Sequence, residues 1–262
     1  MEKLDPTIIQ RAFQDLANNF QIEILEETTS TNDYAHQLAR KEASEGHIVF
    51  AEKQTAGKGR LDRTWESPAY KNLYLSIILR PDLIAEKAPQ FNLVAGLAAY
   101  HCFLELAPQG LQLKWPNDLL LKGRKVGGIL TEMEITPDGK VDYMVVGVGL
   151  NINADLEDFS PALQKTAGSL KIETQEIYSR SEIAGMFLNE FFTLYQRYLQ
   201  SGFAAFQYEW ENASQMKGKK VKVQESDRSF EGQCLGIDAN GYLVVDSNGT
   251  QETIVAGDVT WS

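Results

Sequence analysis

Apolar residues recur along this chain with two periods, and the switches between them mark out the elements. Ile8, Ile9, Phe13 and Leu16 fall on one side of a short amphipathic helix over 6–20. Gln21 to Glu26 reads as a strand, and Ser30 or Thr31 opens a helix running to about Ala43. His47 to Glu52 is a strand, the stretch Lys53 to Pro68 shows little periodicity, and Asn72 to Arg80 alternates until Pro81 stops it. Phe91 to Ala107 is apolar on most sides, the pattern of a buried helix. Leu111 to Trp115 is a strand halted by Pro116. Leu119 to Lys122 and Lys125 to Ile135 form a hairpin about Gly123-Arg124, and Val141 to Asn151 returns after the turn Pro137-Asp138-Gly139. Ser181 to Gln200 carries Ile183, Phe187, Phe191, Leu194 and Tyr198 at helical spacing, and Phe203 to Ala213 is a further helix.

After Ser214 the pattern changes to short alternating runs near Lys220–Gln224, Ser229–Ile237, Tyr242–Asp246 and Glu252–Val255. Asn240-Gly241 and Asn248-Gly249 are hairpin signals between them. The expected class is α+β: a mixed or antiparallel sheet with flanking helices over 1–214, then a small all-β module over 215–262. Strands gathered into hairpins argue against a doubly wound parallel sheet.

Composition narrows the function. Hydrophobic residues make up 43% and charged residues 23%, ordinary for a soluble globular chain. The net charge of -11 disfavours general nucleic-acid binding, so any anion site must be built locally. Met1 to Pro6 lacks the basic and apolar runs of a signal peptide, and Phe91 to Ala107 is too short to span a bilayer. Cys102 and Cys234 make no metal pattern, and His36, His47 and His101 lack ligand spacing. The expectation is a cytoplasmic protein with reduced thiols, no membrane segment and no fixed metal site.

Five segments carry candidate chemistry. Gln54-Thr55-Ala56-Gly57-Lys58-Gly59-Arg60-Leu61-Asp62-Arg63 is a glycine-containing loop; from Lys53 to Arg63 four basic residues meet one acid, a local excess that suits a phosphate-rich ligand or, equally, a solvated loop. It has neither Walker nor Rossmann spacing. Lys114-Trp115-Pro116-Asn117-Asp118 brings a cation, an indole and two polar side chains to a strand end. Arg124-Lys125-Val126-Gly127-Gly128-Ile129-Leu130 sets a lysine before paired glycines, which leave either a surface for a bulky ligand or a plain bulge. Gly147-Val148-Gly149-Leu150-Asn151-Ile152-Asn153 ends in amides, and a carboxamide can read an adenine edge through a paired donor and acceptor. Thr29-Ser30-Thr31-Asn32 serves as a helix cap or faces a polar ligand head.

In this order and spacing the five segments, with Trp65 and Asn72-Leu73-Tyr74-Leu75-Ser76, resemble the bacterial biotin–protein ligase family over residues 22–262. The resemblance implies a catalytic domain related to lipoate ligases and class II tRNA synthetases, followed by an SH3-like β barrel. It implies biotin and ATP as substrates, Mg²⁺ without a nameable protein site, and a biotin carboxyl carrier protein as acceptor. Some members carry an N-terminal winged-helix domain and repress transcription. Fewer than about 25 residues precede the first matching strand here, so no DNA-binding role is expected. Both monomers and sheet-edge dimers occur in the family.

Site roles follow from the resemblance position by position. Ser30, Thr31, Asn32 and Gln54 correspond to polar groups around the ureido ring, and Gly57, Lys58 and Arg60 to the loop closing over biotin and the adenylate. Gly127 and Gly149 fall at biotin contacts, and Lys125 matches the family's essential lysine between the biotin carboxylate and the α-phosphate. Arg60, Arg63, Trp65, Lys114, Asn117 and Asn151 fall at adenylate positions, and Asp118 orients reacting groups. The family's loop often reads Gly-Arg-Gly-Arg-Arg-Gly-Arg; Lys58, Leu61 and Asp62 depart from it. A lipoate ligase shares the fold, but its Ser-Gly-Gly-Gly type motif is missing. A non-catalytic sensor would be expected to lack Lys125. The basic run Lys217, Lys219, Lys220 and Lys222 reads as strand-edge protection or as a docking patch for an acidic carrier.

Overall fold

The computed structural model describes residues 2–13 and 20–261. Leu16 lies outside them; the expected first helix is present as α1 (Pro6–Ala12), capped by the Asp5 carboxylate, which accepts from the Thr7 and Ile8 amides.

The larger sheet contains β1 (Gln21–Leu25), β2 (His47–Ala51), β3 (Leu73–Leu79), β4 (Leu111–Lys114), β5 (Asp118–Leu121), β6 (Arg124–Ile135) and β7 (Val141–Leu150). Its strand order is β1-β2-β3-β7-β6-β5-β4. β1 and β2 pair parallel, and every other pair is antiparallel, the mixed sheet expected from the hairpins. β3 is buried at every position because helices cover both faces of the sheet. On one face α2 (Thr31–Ala39) packs Ala35 and Ala39 on Val49, Ile78, Tyr143 and Val145. On the other, α3 (Gln90–Leu104) and α5 (Arg180–Ser201) cover the alternate residues Ile48, Phe50, Ile77, Met144 and Val146.

Two differences from the sequence reading have local causes. α2 stops at Ala39 rather than Ala43, where the Arg80 guanidinium donates to the Ala39 and Ala43 carbonyls at 2.8 and 3.1 Å. The helix expected over 203–213 is a 3₁₀ turn, Phe203–Phe206, followed by α6 (Gln207–Ser214). A short helix, α4 (Leu170–Thr174), was not anticipated.

The C-terminal strands β8 (Lys220–Gln224), β9 (Ser229–Ile237), β10 (Leu243–Ser247), β11 (Thr250–Ile254) and β12 (Asp258–Trp261) form an antiparallel sheet in the order β11-β10-β9-β8-β12. β12 was missed because it is only four residues long, too short for its alternation to stand out. Its pairing overturns the edge reading of the lysine run: β8 lies between β9 and β12, and Lys220 pairs with Glu231 across β9. The module sits on α3 and β4. Trp115 Nε1 donates to the Gly241 carbonyl at 3.0 Å, and Gln90 Nε2 to that of Asn240 at 3.0 Å. Gly241 has φ +82, and a Cβ there would lie 2.5 Å from Leu93 Cδ1, so the expected Asn-Gly turn is also a packing requirement.

Among the described residues no helix is long and apolar enough to cross a membrane. Cys102 and Cys234 are free and buried, and burial pushes the Cys102 thiol up to about 12.

Candidate active site

A cavity of about 290 Å³ opens where β6 and β7 meet the start of α2, the 53–68 loop and the start of β12. Its floor is backbone. Gly128 and Gly149 are cross-strand partners, and the Trp65 indole lies on both: a Cβ on Gly149 would come 2.5 Å from Cε2, and one on Gly128 2.9 Å from Cζ3. Alternation along β6 turns Gly127 the other way, against Leu119 and Leu150, so Gly128 lines the cavity and Gly127 does not. Lys125 Nζ sits 5.3 Å from the Trp65 ring centroid and 2.6 Å from Asp118 Oδ1. The Trp65 N–H is buried without a partner.

One end wall is polar and internally bonded. Ser30, Thr31, Asn32 and Gln54 all line the cavity, as expected. Ser30 occupies the N-cap position of α2 but makes no capping bond; Gln54 Oε1 instead accepts from the Thr31 amide at 2.8 Å. Gln54 Nε2 donates to Ser67 at 2.9 Å, and Ser76, fully buried behind this wall, lies 2.8 Å from Thr31 Oγ1 and 2.6 Å from Asn32 Oδ1. The Asn32 carboxamide lies directly over Gly147, where no side chain fits, and donates to Glu132 at 2.7 Å. His36, Asn32 and Lys58 together hold the Glu132 carboxyl down at about 2.

The 53–68 loop folds over the opposite side. Gly57 is packed beneath the Trp65 carbonyl and away from the main cavity, so its role is close packing rather than wall contact. Gly59 N donates to the Arg63 carbonyl at 2.6 Å, and Leu61 and Asp62 take φ of +54 and +57 to close the turn. Lys58 pairs with Asp33 on α2. Arg60 lies in the cavity wall, donating to Asn117 Oδ1 at 3.2 Å and to the Gly257 carbonyl at 3.3 Å, with Asp258 at 3.7 Å. Burial lowers the Arg60 pKa from its ordinary value, and Asp258 acts against that. Arg63 pairs with the same Asp258.

Asn117 and Asn151 line the cavity, whereas Lys114 does not: its ammonium lies 5.8 Å from the Trp261 ring centroid, toward the C-terminal module. Asn151 also departs from expectation. Its Nδ2 donates to the Gly168 carbonyl at 3.0 Å and to that of Lys125 at 3.5 Å, and its Oδ1 accepts from Asn72 at 3.2 Å. The donors are spent inside the protein, leaving one acceptor lone pair rather than the paired donor and acceptor expected.

Sequence reading missed the wall formed by Phe159, Leu163, Thr166 and Ala167, and Glu66 and Asp258. Phe159, Leu163 and Ala167 recur at i, i+4 and i+8, a signal that was there to find. This segment also fixes the lysine: Lys125 N donates to the Thr166 carbonyl at 2.7 Å, and Gly168 N to the Lys125 carbonyl at 2.9 Å. Among the described residues no group of three or more His, Cys, Asp or Glu side chains could hold a metal ion.

A seven-stranded mixed sheet with a lysine set on a glycine floor is the frame of the biotin and lipoate ligases. The family model described as "Biotin/lipoate A/B protein ligase family" matches residues 24–151, and "Biotin protein ligase C terminal domain" matches 218–260. The chain is 36% identical over 231 residues to the "Bifunctional ligase/repressor BirA" of Bacillus subtilis, covering 88% of this chain and 71% of that protein. It is 33% identical over 241 residues to the "Biotin--[acetyl-CoA-carboxylase] ligase" of Paracoccus denitrificans, covering 90% and 98%. The structure of the Aquifex aeolicus biotin protein ligase in complex with biotin and ATP superposes with a TM-score of 0.79 at 25% identity, covering 92% of this chain and 98% of that one. The chain belongs to the biotin–protein ligase family.

Proposed function

We propose that this protein joins biotin to ATP as biotinyl-5′-AMP and then passes biotin to a lysine of a biotin carboxyl carrier protein. The observation that carries the reading is the Lys125 ammonium on the glycine floor of a cavity that neutral polar groups and Arg60 also line. The hydroxyls and carboxamides of Ser30, Thr31, Asn32 and Gln54 suit a neutral ureido ring. The apolar wall of Phe159, Leu163 and Ala167 suits a flat base.

In the first step a biotin carboxylate oxygen bonds to the ATP α-phosphorus, the bond to the bridging oxygen breaks, and pyrophosphate leaves with the electron pair. Both reactants are anions, so Lys125 and Arg60 lower the barrier by facing the charge that accumulates on the phosphoryl oxygens. A magnesium ion carried by the nucleotide would supply further positive charge to the phosphates. In the second step the carrier amine bonds to the acyl carbon and sheds a proton, the acyl C–O bond breaks, and AMP leaves. Asp118 accepts a hydrogen bond from the incoming amine and orients it. The 53–68 loop excludes water that would hydrolyse the adenylate.

Incubation with labelled biotin, ATP and a biotin carboxyl carrier domain is expected to place label on one carrier lysine. Lys125→Ala is expected to slow pyrophosphate release by roughly 10²–10³. Near-normal release from that variant, or labelling with lipoate in place of biotin, would overturn the assignment.

A further inference from the structure

Three carboxylates line the cavity, and two of them meet cations: Asp118 lies 2.6 Å from Lys125 Nζ, and Asp258 pairs with Arg63 and lies 3.7 Å from Arg60. The third, Glu66, makes no ion pair among the described residues. Its Oε2 accepts from the Ser160 amide at 2.9 Å, and that is the carboxylate's one hydrogen bond to those residues, which leaves Oε1 an acceptor without a donor. A carboxylate not offset by a cation repels a phosphate chain, so Glu66 suits a neutral part of the nucleotide. Its connections indicate which part. Along the chain it follows Trp65, whose ring centroid is 5.3 Å from Lys125 Nζ. Its bond to Ser160 ties it to the residue after Phe159, where the apolar wall begins. Glu66 is thus joined both to the residue packed on the lysine that meets the phosphate and to the wall that suits the base. In a nucleotide the group joining phosphate to base is the ribose, whose 2′- and 3′-hydroxyls are neutral donors.

We infer that Glu66 is a specificity-determining residue that accepts a hydrogen bond from a ribose hydroxyl through Oε1, so that the site favours a nucleotide carrying the full ribose diol. An ionised acceptor makes the stronger kind of hydrogen bond, and it gains nothing comparable from the C–H of a deoxy sugar. The bond to Ser160 holds the carboxylate in place beforehand, so less side-chain freedom is lost when the sugar arrives. The inference rests on the proposed adenylation reaction and goes beyond it, since the chemistry of that reaction uses neither hydroxyl.

The test compares kcat/KM for ATP, 2′-deoxy-ATP and 3′-deoxy-ATP by biotin-dependent pyrophosphate release. The wild type is expected to prefer ATP over at least one analogue by about tenfold or more. Glu66→Ala is expected to lower kcat/KM for ATP by that factor, to leave the disfavoured analogue nearly unchanged, and to bring the preference within about threefold. KM for biotin should not move. Glu66→Gln keeps an oxygen for the Ser160 amide and loses the charge, so it gives the same direction with the wall tie intact should Glu66→Ala displace the wall. A wild type that discriminates against neither analogue, while adenylating biotin with ATP, would overturn the role of Glu66 alone. Variants that slow all three nucleotides alike would do the same, since a tie to Ser160 and nothing more leaves the ratio untouched. No biotin-dependent pyrophosphate release with any of the three would instead sink the adenylation reading beneath the inference.

Discussion

The floor and the lid of the cavity hold their residues by different physics. The floor and its polar end wall rest on buried groups: Asn72 and Ser76 are fully buried, Asn32 is nearly so, and each is bonded to neighbours that are themselves enclosed. The tip of the lid is tied to α2 and β12 by side-chain pairs near solvent, Lys58 with Asp33 and Arg63 with Asp258. Buried networks are costly to break once made, whereas a surface ion pair contributes about 0–1 kcal/mol and is screened by salt. The lid carries a further strain of its own, since Leu61 and Asp62 both lie in the left-handed region and the family often has glycine at the second position.

The contrast breaks most visibly at the buttress under the floor. Arg180 and Glu52 form a buried pair at 2.7 Å; Arg180 also donates to the Asn72 carbonyl at 3.2 Å, and Glu52 accepts from the Leu4 amide at 2.6 Å. Glu52→Gln leaves the Arg180 charge enclosed and is expected to cost about 3–5 kcal/mol in denaturant unfolding. A loss under about 1 kcal/mol would show that the floor is not supported in this way.

The lid should respond on a smaller scale. Asp258→Asn is expected to lower global stability by no more than about 1 kcal/mol, yet to speed amide exchange over 57–65 by about fivefold, with β6 and β7 unaffected. High salt should reproduce the effect in the wild type. Equal acceleration in lid and floor would erase the distinction.

A proton-linked effect sharpens the boundary between the two. Glu132 joins floor to lid through Asn32 and Lys58, and its carboxyl is lowered from 4.5 to about 2, chiefly by the nearby His36 imidazole, whose Nε2 lies 3.7 Å away. A depressed folded-state pKa means the unfolded chain binds the proton first, so this stability is full above about pH 4.5 and drains away as pH falls through about 2. The stability gap between wild type and Glu132→Gln should therefore narrow from neutral pH to pH 3 in denaturant titrations. A gap that stays constant would assign the Glu132 contribution to packing.

Much of the site was legible before the fold. The basic loop, Lys125 with its glycines, Asn117-Asp118, the amide at 151 and the polar set at 30–32 converge on one cavity. Their spacing reflects strand ends and turns, which are local. The misreadings cluster where a side chain's direction depends on a partner strand. Gly127 and Gly128 look alike in sequence, and only the pairing of β6 with β7 puts the second on the cavity side. Lys114 lies one residue from Trp115 and points toward Trp261 because β12 passes there. Ser30 looks like a helix cap, yet Gln54, 23 residues beyond Thr31, makes the bond.

The amino-acid sequence alone determined the α+β class, the all-β character of the C-terminal stretch and the set of residue types that line the cavity. These follow from hydrophobic period, turn residues and motif spacing, all short-range. Tertiary structure decided which of those residues face the ligand, which way the Asn151 amide points, and that Asp258, 195 positions from Arg63, completes the wall. The physical reason is that a strand turns every second side chain to the opposite face, and the register that selects the face is set by hydrogen bonds to partners distant in the chain.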